Sequence, residues 1–304
     1  MDEKDGAEAM MTLADIERAR DLLRGITVET PVLPSARLSE QTGARVFVKA
    51  ENTQRAGSFK LRGAYTRLAS LTPEQRGRGV IAASMGNHAQ GVALGAKFMG
   101  IESTVVMPAD APLTKVTATR RYGANVVLTG NSFDDAAAHS RELVDLHGLT
   151  LVHAFDDPAV ITGQGTIGLE LFDALPDVDT VIVPIGGGGL ISGISLALHA
   201  RKPGTRIVGV QAHNCSTIPD SLIAGEPVMV HSARTIADGI AVKCPGGHTL
   251  PIIRDHVDHV VTVGETEIAR AIVFTFQHMG LLVEGAGAVG VAALMTGRIQ
   301  LRPD

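Results

Sequence analysis

The sequence predicts an α/β protein built on parallel sheets, and two observations predict it. Short apolar runs of strand length alternate with segments of helix length along most of the chain. A strand followed by a helix and another strand builds a parallel sheet covered on both faces. Proline and glycine also punctuate the helices where their backbone chemistry suits it. Pro112 stands at a helix start, and Gly100, Gly123 and Gly148 stand at helix ends. The length of 304 residues suggests two domains at roughly 150 residues each.

Taken in order, residues 1–11 read as a loose tail. Thr12 has Asp15 three residues on, a capping-box-like start for a helix ending near Gly25. Arg45-Val46-Phe47-Val48-Lys49, β-branched and aromatic at its centre, reads as a strand. Val80 to Ala83 is a short apolar strand, followed by a helix from about Asn87 to Gly100. Thr104–Met107 and Val126–Leu128 are the next strands, with helices over 112–123 and 132–148 after them. Later come strands at Thr180–Ile185, Arg206–Val210 and His259–Val263. Helices follow at Gly189–Arg201 and 265–279, and Gly285 to Met295 is an Ala/Gly-rich helix built for close packing. No repeat or Pro-rich linker marks a domain boundary.

Composition narrows the function classes. Hydrophobics at 45% and charged residues at 19% suit a globular protein with large cores. Aromatics are 3% and Trp is absent, which argues against stacking nucleic-acid bases. With 27 basic and 32 acidic residues the net charge is −5, so no polyanion-binding surface is expected, though one local phosphate site is compatible. Cys215 and Cys244 form no CxxC pair, which speaks against a disulfide framework or structural zinc. His213-Asn214-Cys215 is too sparse to assign a metal. The acidic start shows no signal peptide, and no apolar run reaches the about 18 residues of a membrane span. A cytoplasmic setting is expected.

Four motifs can carry chemistry. Lys60 lies in Ser58-Phe59-Lys60-Leu61-Arg62-Gly63-Ala64, between an aromatic ring and a helix start. A lysine amine forms Schiff bases with aldehydes once burial or a nearby cation lowers its pKa. An ordinary lysine in a first helical turn is the competing reading, and this heptad alone leaves both open. Gly186-Gly187-Gly188-Gly189-Leu190 joins a strand to a helix. Its bare backbone can wrap an anion at a helix N-terminus, so a phosphate is favoured over a plain tight turn. No GK[ST] follows, and Ile191 breaks the G-x-G-x-x-G spacing, so no nucleotide is specified. Ser84-Met85-Gly86-Asn87-His88 sits at another strand-to-helix junction. Ser84 and Asn87 suit helix caps there, and the same groups can grip a carboxylate. Glu284, before Gly285-Ala286-Gly287, either complements a helix dipole or faces the site.

Together these stretches make the chain resemble the fold-type II pyridoxal phosphate enzymes, the tryptophan-synthase β-like fold. It is most similar to their serine/threonine dehydratase and serine racemase branch. The matching segments are Gly57–Ala64, Ser84–His88, Pro184–Leu190, Thr235–Gly239 and Glu284–Gly287, in family order and across nearly the whole chain. The resemblance implies two parallel-sheet α/β domains, a smaller one over 55–155 and a larger one from 1–54 with 156–304. It implies pyridoxal 5′-phosphate held by Lys60 as a Schiff base, with Lys60 later moving the substrate Cα proton. Phe59 would pack on the pyridine ring and Asn87 would bond its phenolic oxygen. Gly186, Gly187, Gly188, Gly189 and the Leu190 amide would cradle the phosphate, with Gly239 and Glu284 also beside the cofactor. Ser84, Gly86 and His88 would surround the substrate carboxylate. No metal ligand is assigned, because His213 and Pro219 stand where related racemases carry a cation-binding carboxylate pair.

Within the family, Lys60-Leu61-Arg62-Gly63 and Gly86-Asn87-His88 match the dehydratase side rather than cysteine synthases. Met85 stands where similar racemases carry a second serine, and a thioether has no proton to deliver. The family also continues into a strand ending Ser-Gly-Gly-Asn, whereas this sequence stops at Arg302-Pro303-Asp304. Loss of that strand would leave a sheet edge unpaired or an apolar face open. The expected activity is β-elimination from L-threonine or L-serine to 2-oxobutyrate or pyruvate plus ammonia. The alternatives are a serine racemase or hydroxyaspartate ammonia-lyase of the same family, and a non-catalytic cofactor- or amino-acid-binding relative. The partner is a small hydroxy-amino acid, with no nucleic acid or membrane, and the family implies a homodimer or homotetramer.

Overall fold

The computed structural model describes residues 11–301. Met11 apart, the tail expected over 1–11 lies outside the described residues, as do Arg302, Pro303 and Asp304. The first helix, α1 (Leu13–Leu22), carries the capping box of Thr12 and Asp15 read from the sequence. Next come β1 (Val32–Pro34), α2 (Ala36–Thr42) and β2 (Phe47–Lys49). These two strands pair antiparallel, unlike the all-parallel expectation. At three residues each, β1 and β2 form a separate two-stranded ribbon outside both parallel sheets.

After two short 3₁₀ turns the chain enters α3 (Lys60–Ala69), α4 (Pro73–Arg78), β3 (Val80–Ala83), α5 (Asn87–Met99) and β4 (Ser103–Met107). It continues through α6 (Leu113–Arg121), β5 (Asn125–Leu128), α7 (Phe133–His147) and β6 (Thr150–Leu151). The four strands form a parallel sheet in the order β5-β4-β3-β6. Then follow α8 (Pro158–Ala174), β7 (Thr180–Pro184), α9 (Gly189–Arg201), β8 (Arg206–Ala212), α10 (Ile218–Ala224) and α11 (Thr249–His256). The last elements are β9 (His259–Val263), α12 (Glu265–Met279) and α13 (Gly285–Met295). A second parallel sheet has the order β7-β8-β9, and among the described residues no strand pairs with the outer side of β7.

The longest helix, α8, went unread in the sequence. Val160 through Leu169 are all buried, with Thr162, Gln164 and Thr166 among them, so this stretch of α8 has no solvent-facing side and no clean 3.6-residue stripe to reveal it. Its glycines and β-branched residues also lower helix propensity. Those glycines set the packing. A Cβ at Gly163 would lie 2.6 Å from the Arg62 carbonyl oxygen of α3. A Cβ at Gly193 of α9 would lie 2.3 Å from the Ile161 carbonyl oxygen of α8. Helices α3, α8 and α9 therefore stack nearly backbone to backbone. Lys60 begins α3 and the glycine loop begins α9, so this stack fixes how far apart they stand.

Candidate active site

The carboxyl ends of parallel strands open into crevices where ligands bind. Here Ser84–His88 leave β3, His153–Phe155 leave β6 and Gly186–Gly189 leave β7, and all line one cleft of about 1740 Å³. Lys60 enters it from the first residue of α3.

Lys60 Nζ donates to the Ala154 carbonyl at 2.7 Å and lies 5.3 Å from the Phe59 ring centroid. Desolvation pulls its pKa from 10.5 down to about 8, against the opposing pull of the Glu284 carboxylate. Gly91 of α5 lets that helix close on the lysine backbone, since a Cβ there would sit 3.0 Å from the Lys60 carbonyl carbon. Behind Lys60, the Arg62 guanidinium is 1% exposed and bonds both Glu51 (2.9 Å) and Glu170 (2.5 Å). Lys49 adds a second cation at 2.6 Å from Glu170. Two cations thus meet two carboxylates, which anchors α3 against α8 and the 3₁₀ turn at Glu51–Thr53.

Across the cleft, Gly188 has φ 102 and caps α9 without a side chain. The first amide of the α9 ladder to find an acceptor is Ser192, at 3.0 Å from the Gly188 carbonyl. Among the described residues the Gly189, Leu190 and Ile191 amides bond no acceptor. Unpaired amides at the positive end of a helix suit an anion. The loop is braced from behind. A Cβ at Gly187 would lie 2.3 Å from the Phe155 ring, and Thr249 Oγ1 donates to the Gly187 carbonyl at 2.6 Å. The Asp156 carboxylate accepts the Gly247 and His248 amides at 3.0 and 2.8 Å.

The Ser84–His88 turn corrects one expectation: neither Ser84 nor Asn87 caps α5. The N-cap is Gly86, with no side-chain hydrogen bond. Ser84 Oγ instead accepts the Gly86 amide at 3.3 Å, and Asn87 Nδ2 donates to Glu284 Oε1 at 2.7 Å. Among the described residues the Asn87, His88 and Ala89 amides bond no acceptor, giving the cleft a second helix N-terminus suited to an anion. His88 Nε2 donates to the Val152 carbonyl at 2.8 Å, and Nδ1 is buried with no partner among the described residues. Burial, with Lys60 nearby, drives its pKa down to about 3, so the ring is neutral and its one N–H is committed. Burial and Asp238 raise the Glu284 pKa. A Cβ at Gly239 would meet Glu284 Oε1 at 2.9 Å, which places Gly239, Glu284 and Asn87 side by side.

The cleft therefore brings together Phe59, Lys60, Ser84, Gly86, Asn87, His88, the glycine loop with Leu190, Gly239 and Glu284. Sequence reading missed Ala154, His153, Phe155, Asp156 and Thr249. A signal was present: Asp157-Pro158 is an N-cap followed by proline at N1, and it places 153–156 at a strand-to-helix junction. Two ion pairs also tie α6 and α7 to the segment after α10, Lys115–Asp238 at 2.5 Å and Asp134–Lys243 at 2.6 Å.

An amine of lowered pKa between two free helix N-termini fits a ligand that carries an aldehyde and a phosphate, together with an amino-acid carboxylate. Comparison with known proteins agrees. The family described as pyridoxal-phosphate dependent enzyme matches residues 23–304. An L-threonine ammonia-lyase of Thermotoga maritima is 50% identical over 94% of this chain and 71% of its own length. The catabolic L-threonine dehydratase of Escherichia coli K12 is 45% identical over 95% of this chain and 88% of its own. A threonine deaminase structure from T.th. superposes with a TM-score of 0.91 at 37% identity, covering 96% of this chain and 95% of that one. Maize serine racemase gives a TM-score of 0.92 at 36% identity, covering 96% and 88%.

Proposed function

The chain belongs to the family of pyridoxal-phosphate dependent enzymes, and from that premise we propose that it is an L-threonine ammonia-lyase that also accepts L-serine. The products are 2-oxobutyrate or pyruvate and ammonia. The observation that carries the reading is Lys60, an amine tuned to about 8 and set between the α5 and α9 N-termini. Pyridoxal phosphate, when bound, supplies the electron sink that acidifies the substrate Cα–H.

In this reading Lys60 holds the cofactor aldehyde and afterwards carries the Cα proton on Nζ, which its lowered pKa favours near neutral pH. The Gly189, Leu190 and Ile191 amides would hold the phosphate through the α9 dipole, with Gly186 to Gly188 keeping the approach clear. Phe59 would pack against the pyridine ring, and Asn87, held by Glu284 with Gly239 beside it, would be placed to donate to the phenolic oxygen. The Ser84 hydroxyl and the first amides of α5 take the substrate carboxylate. His88 offers an acceptor rather than a charge, so carboxylate binding rests on N–H dipoles. Met85 lines the same cleft; its thioether delivers no proton to the opposite face of Cα, which favours elimination over racemisation. By family likeness the enzyme is a homodimer or homotetramer, which light scattering checks.

The test is release of ketoacid and ammonia from L-threonine, L-serine and 3-hydroxyaspartate, with chiral analysis of residual serine. Release from threonine and serine without D-serine accumulation is expected. Absence of ketoacid in the cofactor-saturated protein overturns the lyase reading, and D-serine accumulation overturns the role of Met85.

A further inference from the structure

We infer that His153 is a positioning residue for Lys60, acting through the Ala154 carbonyl. The inference rests on Lys60 as the cofactor anchor. His153 lies just past β6, where the chain leaves the sheet and heads for the glycine loop. Its Nδ1 accepts the Asp156 amide at 2.8 Å and the Phe155 amide at 3.3 Å. A ring nitrogen that accepts amides carries no proton, so the imidazole is the neutral Nε2–H tautomer. These bonds close a turn across Ala154, and the Ala154 carbonyl points out of it to Lys60 Nζ at 2.7 Å.

A lysine amine rotates freely on a four-carbon stem. A fixed acceptor on one side selects an orientation and keeps the nitrogen lone pair away from the carbonyl, free for an aldehyde or a Cα proton. The ring is itself held, since Phe155 meets it edge-on at 4.7 Å between centroids. Phe155 is the residue wedged against Gly187. One short segment thus orients the amine and shapes the phosphate loop.

Protonation of His153 removes both accepted bonds and releases the turn. Burial is the largest influence against protonation, joined by Lys60 of α3 and His248 at the start of α11, while Asp156 and Asp157 favour it. His88 of α5 is a further ring beside the same amine. The native site keeps His153 neutral below the ordinary histidine pKa, so the latch holds in the range where Lys60 works.

The full-length protein stripped of cofactor tests this through the rate at which added pyridoxal phosphate develops its protein-bound visible absorption. Asparagine at 153 puts an acceptor where Nδ1 was and nothing where Nε2 was. Glutamine does the reverse. His153→Asn should capture cofactor close to the wild-type rate, whereas His153→Gln and His153→Phe should be slower by about tenfold to a hundredfold. In the loaded enzymes kcat should fall with KM for L-threonine unchanged. The logarithm of the wild-type capture rate should fall with slope one below pH 8 and with slope two at lower pH. His153→Asn should keep slope one throughout. Wild-type behaviour of a folded His153→Gln, or a slow but folded His153→Asn, overturns the inference. So does an ¹⁵N spectrum of the wild type that places the proton on Nδ1, a measurement needing no variant to fold. Failure of the anchor reading looks different: Lys60→Ala would then still develop the bound absorption.

Discussion

One wall of the cleft carries an amine, two imidazoles and a carboxylate; another, Gly186 to Gly189, carries no side chain. The first works by charge. Burial lowers the Lys60 pKa to about 8 and leaves the His88 ring neutral, and Glu284 moderates the lysine. The second works by shape and by main-chain dipoles, with Phe155 and Thr249 filling the space behind it. The contrast teaches that the two walls fail differently. A charged wall is sensitive to pH and to loss of a partner, whereas a backbone wall is sensitive to a single methyl group.

The largest effect should come from behind the lysine. Arg62→Ala leaves Glu51 without its cation and Glu170 with Lys49 alone, and loss of one partner of a buried ion network costs about 3–5 kcal/mol. Urea unfolding measures it, and Arg62→Lys should restore only part, because an ammonium cannot fork between two carboxylates. A loss below about 1 kcal/mol would show the network to be well solvated.

Next in size is the backbone wall. Gly187→Ala drives a methyl into the Phe155 ring, with an overpacking cost of about 1–3 kcal/mol and weaker cofactor binding. Shortening Phe155 to alanine in the same chain should recover part of the affinity, which a two-residue thermodynamic cycle reads directly. Independent effects would show that the ring does not brace the loop.

A pH titration separates the walls further. Cofactor capture needs the neutral amine, so its rate should climb with pH and level off above about 8 rather than near 10.5. Stability carries the same sign. Between about 8 and 10.5 the unfolded chain binds a proton that the native cofactor-free chain does not, so native stability rises with pH through that window. Stopped-flow absorbance and denaturant melts from about pH 7 to 11 check both.

The smallest expected change is Glu284→Gln. Removing its charge takes away a pull that raises the lysine pKa, so the capture midpoint should fall by less than about one unit. An upward shift would reverse the assigned sign.

How much of this was legible depended on the wall. The backbone wall was plain, because four glycines in a row between a strand and a helix have few other uses. Lys60 and Asn87, singled out from their motifs, line the same cleft. What escaped notice were contacts made by main-chain atoms or by residues with no distinctive neighbours. Ala154 matters through its carbonyl, which every residue possesses, and His153 matters through an Nδ1 lone pair that spacing does not disclose. Ser84 and Asn87 looked like caps because a local preference is visible in sequence, while the competing partner of Asn87, Glu284, stands 197 positions away. Helix α8 was hidden by its burial, since a segment buried all round, with Thr162, Gln164 and Thr166 among its apolar residues, carries no 3.6-residue period.

That hidden helix works as a calliper. The width between amine and phosphate loop is set by how closely α3 and α9 approach α8, and the approach depends on Gly163, Gly165 and Gly193, none of which lines the cleft. A methyl at any of these positions opens the jaws without altering the surface a ligand touches. The gauge of the active site is therefore written in residues that no ligand-bound map of contacts would ever mark.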